Sequence, residues 1–218
     1  MIKVVIFDFD DTLCLTEEAS FLMENTIAID MGHQPMKREA HQKNWGKPVK
    51  EAIAERILGI DSDEFMQRFE QVMAEFVVRG KLDAISQETI DVLRVLKAHS
   101  KQLAVLTSRT LPEVKHLIHE NHILTKVLNG FYYKDKLQYS KPDPRVFSTV
   151  LSDFGVKPYE CVYVGDAIGD AVAAKGAGMH FIAVLESGLR TKKDFAQKKV
   201  DLFVDTLRDI VPYIIQTE

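Results

Sequence analysis

The stretch Val4-Val5-Ile6-Phe7-Asp8-Phe9-Asp10-Asp11-Thr12-Leu13 opens on apolar, largely β-branched residues and then meets three carboxylates. Such a run reads as a buried strand whose C-terminal end carries polar groups. Strand side chains alternate with a period of two, so Asp8 and Asp10 point to one side if the strand runs that far. Two carboxylates a few ångströms apart repel, and one is driven neutral unless a cation lies between them. The stretch therefore predicts a bound metal or a proton shared across the pair. An acidic turn after a strand is the plainer alternative.

Beyond Leu13 the pattern changes. Thr16 is a candidate N-cap, acids fill the first turn after it, and Gly32 follows the last apolar position of a helix ending near Met31. Further helical patterns follow around Val49–Leu58 and Ser62–Arg79, separated from the first by the turn-forming run Asn44-Trp45-Gly46-Lys47-Pro48. Phe65, Phe69, Val72, Met73 and Phe76 form the spaced apolar stripe of a packed helix. No strand is predicted between Leu13 and Asp83, so residues 15–83 read as a helical insertion.

From Ser86 onward helices and short apolar runs alternate. Strands are predicted at Leu103–Leu106, near Gly130–Tyr133, and at Cys161–Val164, Phe181–Val184 and Leu202–Val204. The intervening helices are Gln87–His99, Pro112–Asn121, Arg145–Phe154 and Ile168–Ala177, with a last one at Leu207–Ile215. This order implies right-handed crossovers and an α/β fold: a Rossmann-like, mainly parallel sheet with helices on both faces. Residues 1–14 and 84–218 would form that core domain. Ligands of such sheets bind beyond the carboxyl ends of the strands.

Composition narrows the function classes. The 218 residues are 46% apolar, enough for a full core, and the formal net charge of −4 comes from interspersed acids and bases. Without a basic stripe, no nucleic-acid partner is expected. No apolar run approaches a membrane span, and the N-terminus enters a strand at once, so the expectation is a cytoplasmic protein. Cys14 and Cys161 lack metal-ligand spacing and read as buried thiols. His116, His119 and His122 follow helical spacing but read as a solvated helix face.

Three predicted strands end in groups suited to phosphate. The first brings Asp8 and Asp10, the second Thr107 and Ser108, the third Asp166 with Asp170 four residues on; Lys141 precedes a helix nearby. In a parallel sheet these converge on one edge. A phosphate ester adds about two negative charges to those carboxylates, so compensation is required. Mg²⁺ suits oxygen ligands and phosphate, and Lys141 adds positive charge. The GxxxxGK[ST] loop is absent.

With these residues on view, the chain resembles the haloacid dehalogenase superfamily, in the branch with a helical cap after the first strand. The resemblance rests on Asp8-Phe9-Asp10-Asp11-Thr12, on Thr107-Ser108, on Lys141 before Pro142-Asp143-Pro144, and on Gly165-Asp166-Ala167-Ile168-Gly169-Asp170, in that order. It implies a Mg²⁺-dependent phosphatase acting on a small phosphorylated metabolite through an aspartyl phosphate, as a monomer or homodimer. Asp8 would be the nucleophile and Asp10 the general acid and base. Asp8, the Asp10 carbonyl and Asp166 would hold the metal. Thr107, Ser108 and Lys141 would bind phosphoryl oxygens, with Asp170 and Thr12 behind them. Lys47, in the cap loop, would contact substrate.

Two departures stand out. Position 11 is Asp where much of the superfamily has Gly. Leu15 stands where many phosphoglycolate phosphatases and phosphosugar mutases have Asp. The rival expectation is a phosphosugar mutase of the β-phosphoglucomutase type. Asp10 argues against a halide-releasing dehalogenase, and a receiver-type phospho-acceptor is roughly half this length. Arg109 would touch substrate or pair with a surface acid.

Overall fold

The computed structural model describes residues 1–216. Six strands make one parallel sheet: β1 Val4–Phe7, β2 Gln102–Leu106, β3 Gly130–Tyr132, β4 Cys161–Gly165, β5 His180–Val184 and β6 Leu202–Val204, in the order β3-β2-β1-β4-β5-β6. The α/β fold expected from the alternation is therefore present. β1 lies between β2 and β4, with Phe7 opposite Val105 on one side and Val164 on the other. The order reverses at β1, which is the switch point where open parallel sheets hold ligands.

The strand period sorts the core. Val5, Phe7, Leu103, Val105, Val162 and Val164 pack on one face, together with helix α5 (Gln87–Ala98) through Val92, Leu93 and Leu96. Val4, Ile6, Ala104, Leu106, Cys161 and Tyr163 pack on the other, against α8 (Ser148–Phe154) and α9 (Ile168–Gly176). All four residues of β1 are fully buried, as expected of a central strand covered on both faces.

The chain divides into two compact units, Met1–Cys14 with Ile85–Glu218, and Leu15–Ala84. The second is built from α1 (Glu17–Asp30), α2 (Arg38–Lys43), α3 (Val49–Arg56) and α4 (Ser62–Val78). Asp61 caps α4, its carboxylate accepting from the N–H groups of Asp63 and Glu64. Met23, Ile27, Ile53, Phe65, Phe69 and Met73 form this unit's own apolar core.

One predicted helix is broken. Pro112–Asn121 is not continuous: α6 covers Leu111–Val114, turns follow, and α7 runs Ile123–Val127. Thr110 and Glu113 close a capping box at the start of α6, while His122 accepts from the Leu124 N–H to start α7. The three histidines therefore share no helix face. The last helix likewise begins later, at α10 (Ile210–Gln216), after a 3₁₀ turn.

Candidate active site

The strand ends bring four charged side chains together. β1 stops at Phe7, and Asp8 is the first residue past it, its N–H donating to the Val164 carbonyl at 2.8 Å. Asp8 Oδ1 accepts from the Phe9 N–H at 2.8 Å, and Oδ2 lies 2.9 Å from Lys141 Nζ. Lys141 also meets Asp170 Oδ1 at 2.8 Å. Asp170 is in the first turn of α9, where Oδ2 accepts from the Ala167 N–H at 3.0 Å. Gly165 is required for this approach: a Cβ there would fall on the Asp170 carboxylate. Asp166 completes the group, and carboxylate oxygens of Asp8, Asp166 and Asp170 lie within 4.8 Å of one another.

Three carboxylates thus face one ammonium in a nearly dry place. Burial pushes the Asp8 carboxyl up to about 7; Lys141 pulls the other way, but Asp170 and Asp10 add to the rise. Asp166 is pushed well above the carboxylate range, by burial first and then by Asp170, Asp8 and Asp11. Burial works against the Lys141 ammonium, yet Asp170 and Asp8 outweigh it and hold its pKa well above the usual lysine value. Among the described residues no N–H or O–H donates to the Asp166 carboxylate, although Asp166 is only 6% exposed. A hard divalent cation fits such a set of oxygens.

The condition for pairing Asp8 with Asp10 by strand alternation is not met. The strand ends before its alternation reaches Asp10, and the chain turns through Asp11 at φ 53°, its N–H donating to the Cys14 carbonyl at 2.7 Å. Asp10 therefore lies outside the three-carboxylate group. Its two oxygens take Arg109 Nη2 at 2.6 Å and Nε at 3.0 Å. Arg109 in turn stacks on the Phe9 ring, 4.8 Å from its centroid, and Nη1 donates to the Glu113 carbonyl at 3.3 Å. Arg109 pairs with Asp10 of the site itself, not with a surface acid. The left-handed φ at position 11 also explains the departure noted there, since Asp tolerates a conformation that Gly adopts freely.

The remaining candidates fall in three places. Thr107 is 1% exposed, follows β2, and accepts from the Arg109 N–H through Oγ1 at 3.2 Å. Thr107, Ser108 and Lys141 line one small recess. Thr12 is buried, and its Oγ1 has no hydrogen-bond partner. Lys47 belongs to the helical unit, where its exposed ammonium pairs with Glu55 Oε1 at 3.1 Å. Sequence reading missed the role of Arg109 beside Asp10. The available signal was its position just past the end of β2, the strand beside β1.

Residues 5–184 match the haloacid dehalogenase-like hydrolase family. The chain belongs to that family. Phosphoglycolate phosphatase 1 of Pseudomonas aeruginosa is 26% identical over 221 residues, covering 96% of this chain and 79% of its own. A phosphoglycolate phosphatase of Psychrobacter arcticus is 26% identical over 227 residues, covering 98% and 96%. Among solved structures, CbbY of Rhodobacter sphaeroides in complex with phosphate superposes with a TM-score of 0.80 at 23% identity over 96% of both chains. A family IA hydrolase of Entamoeba histolytica gives 0.81 at 18% identity, covering 99% of this chain and 98% of its own. These structural likenesses show a shared haloacid dehalogenase-like fold. No helix among the described residues is long and apolar enough to cross a membrane.

Proposed function

We propose that this hydrolase is a cytoplasmic, Mg²⁺-dependent phosphatase that cleaves a small phosphomonoester through a phosphoaspartate on Asp8. The observation carrying this reading is the buried Asp8–Asp166–Asp170 group with its single ammonium, a site short of positive charge. The names of the curated relatives support a phosphomonoester as substrate.

Asp8 is poised at the strand end as nucleophile, one oxygen fixed by the Phe9 N–H and the other by Lys141. Its attack forms an Asp8 oxygen–phosphorus bond while the bond from phosphorus to the ester oxygen breaks. Asp10 gives that leaving oxygen a proton, then removes one from the water that attacks phosphorus and frees Asp8. To act as an acid Asp10 has to present an O–H, so one of its contacts with Arg109 opens during the cycle. Thr107 and Ser108 bind phosphoryl oxygens, and Lys141 keeps Asp8 and Asp170 in place with positive charge beside the phosphoryl group. Bound by Asp8, Asp166 and the Asp10 carbonyl, Mg²⁺ would supply the missing positive charge and neutralise the phosphoryl oxygens. Asp170, with both oxygens engaged by Lys141 and Ala167, anchors that lysine. Lys47 is the residue of the helical unit proposed to read the substrate.

The mutase alternative finds less support, because these curated relatives carry phosphatase names. The deciding experiment is phosphate release with Mg²⁺ across phosphoglycolate, sugar phosphates and nucleotides, with Asp8→Asn as the blank. Release from at least one ester, absent in the blank, is expected. An inactive wild-type chain across the panel would overturn the reading. Hexose 1-phosphate converted to hexose 6-phosphate without free phosphate would favour the mutase.

A further inference from the structure

Tyr163 is the middle residue of β4, fully buried, and in register with Ile6 of β1. By the strand period it belongs to the apolar face, and its ring meets Phe147 edge-on at 4.9 Å. Its hydroxyl is another matter. It donates to the Leu106 carbonyl at 2.9 Å and accepts from Lys141 Nζ at 3.1 Å. Leu106 is the last residue of β2, directly before Thr107.

A lysine ammonium has three N–H donors and no acceptor. Lys141 spends one on Asp8 Oδ2, one on Asp170 Oδ1 and one on Tyr163. The direction of the chain is fixed, because the ammonium only donates and the Leu106 carbonyl only accepts. Two carboxylates alone leave an ammonium free to swing about the line joining them, and a third bond removes that freedom. Burial and the nearby charges hold the phenol firmly protonated, so it keeps its donor. The Tyr163 hydroxyl thus ties a loop lysine to the end of the strand that carries Thr107.

We propose that Tyr163 is a positioning residue that aims the Lys141 ammonium at Asp8 and Asp170, and that its hydroxyl, not its ring, performs this role. The catalytic consequence rests on the phosphatase reading above; the structural one does not.

The test is Tyr163→Phe in the full chain, which keeps the ring against Phe147 and removes the oxygen alone. Tyr132→Phe is the control: Tyr132 also ends in a buried-side hydrogen bond, to Asp153 Oδ2 at 2.8 Å, but does not touch Lys141. The first readout needs no substrate. In wild type, the Lys141 ammonium should give a slowly exchanging ¹H–¹⁵N signal at low temperature, assigned by its loss in Lys141→Met and showing contacts to the Tyr163 ring. That signal should vanish in Tyr163→Phe and persist in Tyr132→Phe. The second readout is turnover on whichever phosphomonoester the wild type cleaves. Losing a hydrogen bond to a charged group, kcat should fall about tenfold with KM little changed, while Tyr132→Phe matches wild type. A wild-type ammonium in free exchange would overturn the proposal without any variant. So would a folded Tyr163→Phe with signal and kcat intact, a matching loss in Tyr132→Phe, or a rise in KM alone. Should the wild-type chain cleave no ester, the phosphatase reading fails and the ammonium signal still decides the role of Tyr163.

Discussion

Two buried charge clusters occupy this protein, one in each compact unit, and they are balanced differently. In the helical unit Arg56 Nη1 meets both oxygens of Glu24 at 2.6 Å, and Arg56 Nε donates to Asn44 Oδ1 at 2.7 Å. His41 Nδ1 lies 2.8 Å from Glu17 Oε1, and Arg38 pairs with Glu17 from the more exposed side. Two glutamates are thus answered by two guanidinium groups. At the strand ends Lys141 pairs with Asp8 and Asp170, and Asp166 adds a third carboxylate to the group. A cluster that closes its own charge needs nothing further and serves the fold. One left short of positive charge costs stability alone, and the fold retains it for what it can bind.

The largest effect follows from the deficient cluster. Asp8→Asn removes the proposed nucleophile, and the loss of activity should be on the order of 10⁵–10⁶-fold, as for other covalent nucleophiles. The same change removes one excess negative charge. Without a divalent ion, the variant should therefore unfold at an equal or higher denaturant concentration than wild type. Urea titration beside a phosphate-release assay checks both. A variant that is inactive and also much less stable would place Asp8 among structural groups, and the contrast would break.

The balanced cluster should answer in the opposite way. Arg56→Met strands Glu24 in a fully buried position, and breaking such a pair costs about 3–5 kcal/mol. Replacing both partners, Glu24→Leu with Arg56→Met, should recover most of that loss, because no orphan charge remains. The loss should appear in urea unfolding followed through Trp45, which belongs to the helical unit and packs on His41 at 4.9 Å. A single variant as stable as wild type would show that water already reaches the pair.

Third in size is the response to pH and Mg²⁺. An aspartate raised from its ordinary value of 3.8 to about 7 keeps its proton in the folded chain where the unfolded chain has lost it. Without a divalent ion, the contribution of Asp8 to stability is therefore greatest below pH 4, falls as pH rises through about 4 to 7, and levels off above. Asp166, shifted in the same direction, adds to the decline. Mg²⁺ should oppose it, adding about 2.7 kcal/mol at a hundredfold excess over its dissociation constant, and more at pH 8 than at pH 5. Thermal unfolding at both pH values with Mg²⁺ or EDTA measures this. A Mg²⁺ effect independent of pH would mean that the ion binds elsewhere.

Much of this was legible in the residues before any coordinates. A buried parallel sheet writes its strands as short apolar runs, and each chemical strand end begins with a polar residue directly after such a run: Asp8, Thr107, Asp166. What escaped depended on where a regular element stops and on which strands lie side by side. Alternation placed Asp10 beside Asp8 only while the strand continued, and it ends at Phe7. The helix expected over Pro112–Asn121 has the right apolar spacing, but Thr110–Glu113 and His122–Leu124 bonds start two short helices instead. Tyr163 reads as one more apolar strand residue until β2 and β4 are known to flank β1.

Arg109 puts a closed pair inside the deficient site, and so tests where the contrast ends. Held by two nitrogens, Asp10 is fixed in direction, which suits the base proposed for it after the leaving group departs. Arg109→Gln leaves one donor nitrogen and no charge. Loss of positioning should then lower kcat about tenfold for an alkyl phosphate, within the range that placed acid–base groups supply. An aryl phosphate, whose leaving group departs without a proton, should be spared in the first step and build up phosphoenzyme, seen as a burst of phenol. In an Asp10→Asn background Arg109→Gln should add nothing, since both act through one carboxylate. A faster enzyme on alkyl phosphates would give the pair the opposite sense, a restraint that the reaction must break before Asp10 can donate. In that case the balanced pair would resemble the Glu24–Arg56 contact of the helical unit, holding structure at the expense of chemistry.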